Sequence, residues 1–156
     1  MTPMLNPFTA SPALMKRWLG TSQQVSSALD QTLVHLVEIR ASQINGCAHC
    51  LNMHTKAARA AGETEQRLHV LAGWRDAPLF TDRERAALGW TETLTRLSQS
   101  HPDAEARAAL KAQFTEEEQV NLTLMINVIN GWNRIVLGFG LWADVAPAQV
   151  IAGAAA

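Results

Sequence analysis

The chain has 156 residues, a formal net charge of −1, and 47 % hydrophobic but only 17 % charged residues. This length is sufficient for one domain with a sizeable core. The near-neutral charge gives no electrostatic basis for binding nucleic acid or an anionic membrane surface. Because charged residues are fewer than the roughly 25 % of an average domain, we expect part of the surface to be covered in an oligomer.

The sequence predicts neither a secretory signal nor a membrane-spanning segment. Residues 1–8, MTPMLNPF, lack the basic patch and apolar run of a secretory signal. The longest apolar stretch, residues 135–145, is too short to cross a bilayer and contains Asp144. We therefore expect a cytoplasmic protein that does not enter the membrane.

The first part of the chain is predicted to form an arm and two helices. Residues 1–10 are interpreted as the arm. A first helix is predicted to open at Pro12 and to end or break at Gly20. A second helix is predicted over residues 30–44, with Asp30 as its N-cap.

Capping signals predict further helices in the second part of the chain. A short helix is predicted from Thr64 to about residue 74 and another over residues 103–113. Residues 81–84 and 115–118 both have the pattern Thr-x-x-Glu, a capping box that marks a helix start. The helix after the second box is predicted to reach Leu137.

No stretch alternates apolar and polar residues in the manner of a strand, so the predicted fold class is all-α. We expect one helical bundle of six to eight helices over residues 1–156. Its core is predicted at about residues 20–140, and residues 150–156 are predicted to be a frayed tail.

The chain's only two cysteines, Cys47 and Cys50, lie three residues apart, and His54 follows four residues later. Positions with these separations share one face of an α-helix. We interpret Asn45-Gly46 as the turn that begins such a helix, which then reaches about residue 61. Two cysteines at this spacing are close enough to form a disulfide.

The same helix start favours thiol chemistry. The unpaired N–H groups of a first helical turn stabilise a thiolate, by about 0.3–1 kcal/mol at an exposed site, which favours Cys47. A hydrogen bond to an ionised group contributes about 1.5–3 kcal/mol. His54, one turn from Cys50, can accept that thiol's proton. We therefore assign Cys50 as the attacking thiol and Cys47 as the resolving thiol.

Two plainer interpretations of the motif remain open. The cysteines are alternatively two small buried residues, or zinc ligands together with His54. A structural zinc site needs a fourth ligand, and the chain has no second CxxC and no HxxxH motif. His49, between the cysteines, is interpreted either as a solvent-facing residue or as a second catalytic histidine.

Asparagines recur every third residue in the last helix, at Asn127, Asn130 and Asn133. Buried asparagines need hydrogen-bond partners. We predict a polar seam at a contact between helices or subunits, with a role in a substrate pocket as the alternative.

The motif residues have a family likeness. The segment EIRASQINGCAHCLNMH, residues 38–54, resembles the alkyl hydroperoxidase AhpD-like branch of the carboxymuconolactone decarboxylase superfamily. The segment FTEEEQVNLTLMINVINGWNRI, residues 114–135, is similar to the closing helix of its small single-domain members. The resemblance covers about residues 20–140.

This resemblance implies an all-helical fold that assembles as a trimer or hexamer, and a thiol-dependent peroxidase activity. In the family the second cysteine of the motif, here Cys50, attacks the peroxide, and the first, here Cys47, closes a disulfide. His54 matches the family histidine, and His49 matches a histidine that some members carry.

The resemblance also implies a glutamate that completes a proton relay to the histidine. In the best-studied branch it lies twelve residues before the first cysteine, where this chain has His35. Glu38, one turn further on, matches a glutamate of the single-domain members. We expect Glu38 to complete the relay, with His35 as the second choice.

The expected function is therefore reduction of hydrogen peroxide or organic hydroperoxides, with a dithiol partner as reductant and no cofactor or metal. One alternative is a redox-sensing or zinc-binding helical oligomer. Another is a carboxymuconolactone decarboxylase-like enzyme acting on a lactone acid, with His54 as general base.

Overall fold

The computed structural model describes residues 5–142, and every regular element in that range is a helix. The α-helices are α1 (Pro7–Ala10), α2 (Pro12–Ser27), α3 (Gln31–Asn45), α4 (Ala48–Ala60), α5 (Glu65–Val70), α6 (Asp82–Thr95), α7 (Ala104–Gln113) and α8 (Glu116–Phe139). A 3₁₀ turn, Leu71–Gly73, follows α5. The all-α prediction is confirmed. Within the described range, no helix is both long enough and apolar enough to pass through a membrane.

The predicted capping residues begin their helices as expected. The Asp30 carboxylate accepts the N–H of Leu33 at 3.0 Å at the start of α3. Thr81 and Thr115 form complete capping boxes at α6 and α8, each with the glutamate three residues later. These caps satisfy N–H groups that a helix start leaves unpaired.

The predicted break at Gly20 is wrong, because α2 continues through this residue to Ser27. Gly20 has a helical backbone within α2, and its φ is not positive. A glycine inside a helix costs about 1 kcal/mol relative to alanine. Trp18 and Val25, on either side of Gly20, both pack against the core. We attribute the continuous helix to their burial, which outweighs this local cost.

The predicted N-terminal arm is also partly wrong. Residues 7–10 form α1, whose first turn is capped by the side chain of Asn6. The Phe8 ring stacks on Trp132 of α8, with ring centroids 6.3 Å apart. Residues 1–4 and the predicted tail at residues 150–156 lie outside the described range.

Helix α3 is the centre of the bundle and packs against α4, α6 and α8. One of its faces contributes Val34 and Val37 to a core shared with α6, α7 and α8. Another face contributes Leu36 and Ile39 to a second core with α4, α5, the 3₁₀ turn and α6. A helix that is apolar on opposite faces is buried on both, so α3 is held firmly in place.

A buried ion pair joins α3 to α6. Arg40 of α3 donates to Oε1 of Glu92 from Nε at 2.8 Å, and its Nη2 lies 2.7 Å from the same oxygen. Trp74 Nε1 donates to this oxygen at 2.9 Å, and Arg75 binds the other carboxylate oxygen. Burial raises the pKa of Glu92. Hydrogen bonds from Trp74, Arg75 and Arg40 together lower this pKa by more than burial raises it, so the carboxylate is ionised at neutral pH.

A polar network joins the C-terminal end of α3 to α8. Asn45 Nδ2 donates to the side-chain oxygens of Asn130 at 2.9 Å and of Asn133 at 2.7 Å. Asn133 Nδ2 donates in turn to Ser42 Oγ at 3.1 Å. The predicted polar seam is therefore a contact between helices of one chain for Asn130 and Asn133. Asn127 is exposed in the single chain, so a contact between subunits stays a prediction for this residue.

The close approach of α2 and α8 predicts the effect of one substitution. A Cβ at Gly131 would lie 2.7 Å from Trp18 Cζ2, in the indole ring. We expect Gly131→Ala to lower the free energy of unfolding by about 1–3 kcal/mol, the range for overpacking. Denaturant unfolding measures this change.

Gly138, in the same helix, is the matched control for that experiment. A Cβ there would meet no atom within 4 Å. Gly138→Ala should therefore be neutral or stabilising by up to about 1 kcal/mol, through helix propensity. Equal effects of the two substitutions would contradict the packing argument.

Candidate active site

The turn between α3 and α4 places the cysteine motif. Gly46 has a left-handed backbone, with φ of 68°, and caps the C-terminus of α3. Cys47 follows as the N-cap of α4. The expectation that Asn45-Gly46 opens α4 is thus corrected, because Asn45 is the last residue of α3 and Gly46 ends that helix. The short turn sets α4 back against α3.

Cys47 and Cys50 are joined by a disulfide, with Cα atoms 5.4 Å apart. This agrees with the spacing argument, since the separation is ordinary for a disulfide. The Cys50 N–H donates to Cys47 Sγ at 3.4 Å, so the sulfur caps the helix. The two cysteines are 0 % and 1 % exposed, and Val136 and Leu141 pack against them.

His54 lies on α4 one turn beyond Cys50 and is held by α3. Its Nδ1 is 2.9 Å from Oε2 of Glu38. A ring nitrogen bonded to a carboxylate carries the proton, which leaves Nε2 of His54 free to accept one. The buried imidazole is therefore fixed in the tautomer that a general base requires.

His35 contacts the same carboxylate oxygen. Its Nδ1 lies 3.5 Å from Glu38 Oε2, a separation that makes this an electrostatic contact rather than a close hydrogen bond. The geometry thus places Glu38 between two imidazoles, with His54 the nearer. The side chains of His35 and Glu38 are 15 % and 13 % exposed.

Glu38 is ionised in this setting. Burial raises the pKa of its carboxyl group. The interactions with His35 and His54 together lower this pKa by more than burial raises it, so the pKa lies below its ordinary value of 4.5. A negative charge at this position stabilises an imidazolium at His54. The pair can therefore take a proton from a neighbouring thiol.

His49, between the two cysteines, contacts the backbone of Trp142 at the C-terminal end of the described residues. It is half-buried rather than solvent-facing. Burial lowers the pKa of His49, a hydrogen bond with the backbone of Trp142 opposes this, and the charge of His54 lowers the pKa further. The net lowering favours a neutral imidazole at physiological pH.

The sequence alone missed the apolar cover of the cysteine pair. Val136 and Leu141 lie about ninety residues from the motif and carry no chemical signal of their own.

Among residues 5–142, no group of three or more His, Cys, Asp or Glu side chains is arranged to hold a metal ion.

The ionised Glu38 predicts a pH dependence of stability. Since its pKa is lowered by folding, its contribution is fully present above about pH 4.5 and is lost as the pH falls through the lower folded pKa. Glu38→Gln should remove this contribution. The difference in free energy of unfolding between wild type and variant, from denaturant unfolding, should shrink as the pH falls below that value.

Other carboxylates with lowered pKa, such as Glu84 and Glu92, are present in both proteins and cancel in this difference. A difference that stays constant from neutral pH down to the acid transition would contradict the assignment of an ionised, partnered Glu38.

Comparisons with known proteins place the chain in a family. Residues 12–93 match the model of the carboxymuconolactone decarboxylase family. The uncharacterised protein YdfG of Bacillus subtilis (strain 168) is 36 % identical over 141 residues, which cover 90 % of this chain and 96 % of YdfG.

Two solved structures have similar folds. ATU0492 of Agrobacterium tumefaciens, a protein of unknown function provisionally assigned as the antioxidant defence protein AhpD, superposes with a TM-score of 0.86 at 38 % identity, over 89 % of this chain and 96 % of that one. The debrominase Bmp8, in complex with 2,3,4-tribromopyrrole, gives a TM-score of 0.76 at 17 % identity, over 93 % and 78 % of the two chains, and this is a likeness of fold alone. This chain has the AhpD-like helical fold and belongs to the carboxymuconolactone decarboxylase family.

Proposed function

We propose that this protein is a thiol-dependent peroxidase that reduces hydrogen peroxide or organic hydroperoxides through Cys47 and Cys50. The observation that carries the proposal is a paired cysteine site with a histidine one turn away, whose Nδ1 is bonded to an ionised carboxylate. The provisional assignment of ATU0492 to antioxidant defence supports the same class of reaction.

The oxidative step begins in the reduced protein. His54 takes the proton of Cys50 at Nε2, and Glu38 stabilises the imidazolium through Nδ1. The Cys50 thiolate attacks the outer oxygen of the peroxide, and the O–O bond breaks. The leaving alkoxide or hydroxide takes the proton from His54, and Cys50 becomes a sulfenic acid.

The resolving step forms the disulfide. The Cys47 sulfur attacks the Cys50 sulfenic acid, an S–S bond forms, and the departing hydroxide leaves as water with the Cys47 proton. The Cys50 N–H that bonds Cys47 Sγ would stabilise a Cys47 thiolate for this attack. The disulfide in the present structure corresponds to the end of this half-cycle.

An external dithiol closes the cycle by exchange. Its thiolate attacks one sulfur of the Cys47–Cys50 bond and releases the other cysteine. Its second thiolate then attacks the partner's sulfur in the mixed disulfide, which forms the partner's own disulfide and releases the remaining cysteine. The partner leaves oxidised, and both cysteines regain a proton. No metal, haem or flavin takes part in this scheme.

We also propose a homo-oligomer, either a trimer or a hexamer, located in the cytoplasm, with no nucleic acid or membrane partner. Support for an oligomer comes from α8, where the apolar side chains of Val120 and Leu124, one turn apart, are exposed. A second copy of the chain would cover such a surface.

The two cysteine positions predict different losses. Cys50→Ser should abolish turnover of hydrogen peroxide and of an organic hydroperoxide, because it removes the attacking sulfur. Cys47→Ser should form one sulfenic acid per chain and then stop, because the resolving sulfur is absent. Peroxide consumption with a dithiol reductant, and trapping of the sulfenic acid, measure the two outcomes.

Each variant is the control for the other, because serine at either position removes the same disulfide. Full peroxidase activity in Cys50→Ser would contradict the assignment. Activity on a lactone acid that survives loss of both cysteines would favour a decarboxylase-like reaction instead.

A further inference from the structure

Glu38 serves two histidines with one oxygen atom. Oε2 lies 2.9 Å from Nδ1 of His54 and 3.5 Å from Nδ1 of His35. The proposed relay uses only His54. Apart from this contact, Nδ1 of His35 is buried without a hydrogen-bond partner among the described residues. Any proton on that nitrogen therefore competes with His54 for the same oxygen.

Of the two histidines, only His35 lines a cavity that opens to solvent, although their side chains are similarly exposed, 15 % for His35 and 11 % for His54. His35 lines an open cavity of about 260 Å³ between the start of α3, the end of α4, and the starts of α5 and α6. His54 is buried one turn earlier on α4 than Ala58, which lines the cavity, and is not among the lining residues. Protons from solvent can thus reach His35 directly.

The charged groups around the cavity favour a positive charge on His35. Among the described residues, α4 and the turn that follows it contribute only Ala58, Ala61 and Gly62 to the lining, and α3 contributes only Thr32 besides His35. The loop before α5 and α5 itself supply Glu63 and Arg67, and α6 supplies Glu84. Arg67 pairs with Glu63 at 2.9 Å and with Glu84 at 2.5 Å, so the two carboxylates outnumber the guanidinium by one charge.

We propose that His35 is a positioning residue that controls, through the shared oxygen of Glu38, how readily His54 takes the proton of Cys50, and that it exchanges its own proton with solvent through the cavity. The proposal rests on the proposed thiol peroxidase function. It adds a dependence of the nucleophile on external pH.

The control follows from charge. With His35 neutral, the Glu38 carboxylate is available to the His54 imidazolium, and the Cys50 thiolate forms. When His35 is protonated, its N–H⁺ attracts the Glu38 Oε2 atom, and its positive charge repels an imidazolium at His54. Cys50 then keeps its proton, so acidification switches off the attacking thiol.

The experiment measures the Cys50 thiolate directly by its ultraviolet absorbance as a function of pH. The parent is the full chain with Cys47→Ser, which leaves one cysteine and keeps an oxygen at the N-cap. His35→Gln gives a neutral side chain, and His35→Lys gives a permanent positive charge. Thr32→Ala, in the same cavity, is the matched control.

We expect His35→Gln to raise the ratio of thiolate to thiol about three- to tenfold at the acidic end of the curve, because glutamine cannot take up a proton. His35→Lys should lower the ratio at every pH, and Thr32→Ala should coincide with the parent. Circular dichroism checks folding of each variant.

Coincident curves for the parent and His35→Gln would overturn the role of His35. Should His35→Gln fail to fold, a His35→Lys curve that coincides with the parent overturns it equally. If the parent forms no thiolate between about pH 5 and 8, or the wild type turns over no peroxide, the proposed function itself fails. Normal turnover with coincident curves refutes only the inference about His35.

Discussion

The site depends on one hydrogen bond between two helices, from His54 Nδ1 of α4 to Glu38 Oε2 of α3. It fixes the tautomer of a buried histidine and sets a negative charge behind it. Without that charge, an imidazolium in a buried position would be strongly disfavoured. The hydrogen bond therefore converts an ordinary helix contact into a group able to deprotonate a thiol.

The rest of the bundle holds these two helices in register. The left-handed Gly46 allows the chain to reverse within one residue between α3 and Cys47. Asn45 anchors the end of α3 to α8, and Arg40 anchors its middle to Glu92 of α6. Each anchor is buried or half-buried, and breaking a buried ion pair costs about 3–5 kcal/mol. A stable α3 is thus the condition for a stable site.

Local patterns in the sequence predicted the parts that local chemistry decides. Asp30, Thr81 and Thr115 cap helices because their side chains bond nearby N–H groups, and this information is contained in four residues. The spacing of Cys47 and Cys50 likewise suffices for a disulfide. Which cysteine attacks stays a prediction, since no geometry of one state decides it.

Long-range packing decided what the sequence could not. Gly20 stays helical although glycine favours a break, and its neighbours Trp18 and Val25 pack against the core. The choice between Glu38 and His35 also required three dimensions, because both lie on one face of α3 and only the approach of α4 shows that Glu38 stands between the two histidines.

The buried disulfide sets a requirement on any reductant. Val136 and Leu141 cover sulfur atoms that have almost no exposure, so a dithiol reaches them only when this cover opens.

The proposed peroxidase function is tested most directly by a count of free thiols in reduced, metal-free wild-type protein before and after one equivalent of an organic hydroperoxide. If the cysteine pair is the peroxidatic site, both thiols are lost within one chain and a dithiol restores them. Two thiols that persist in the presence of the hydroperoxide would contradict the proposed function.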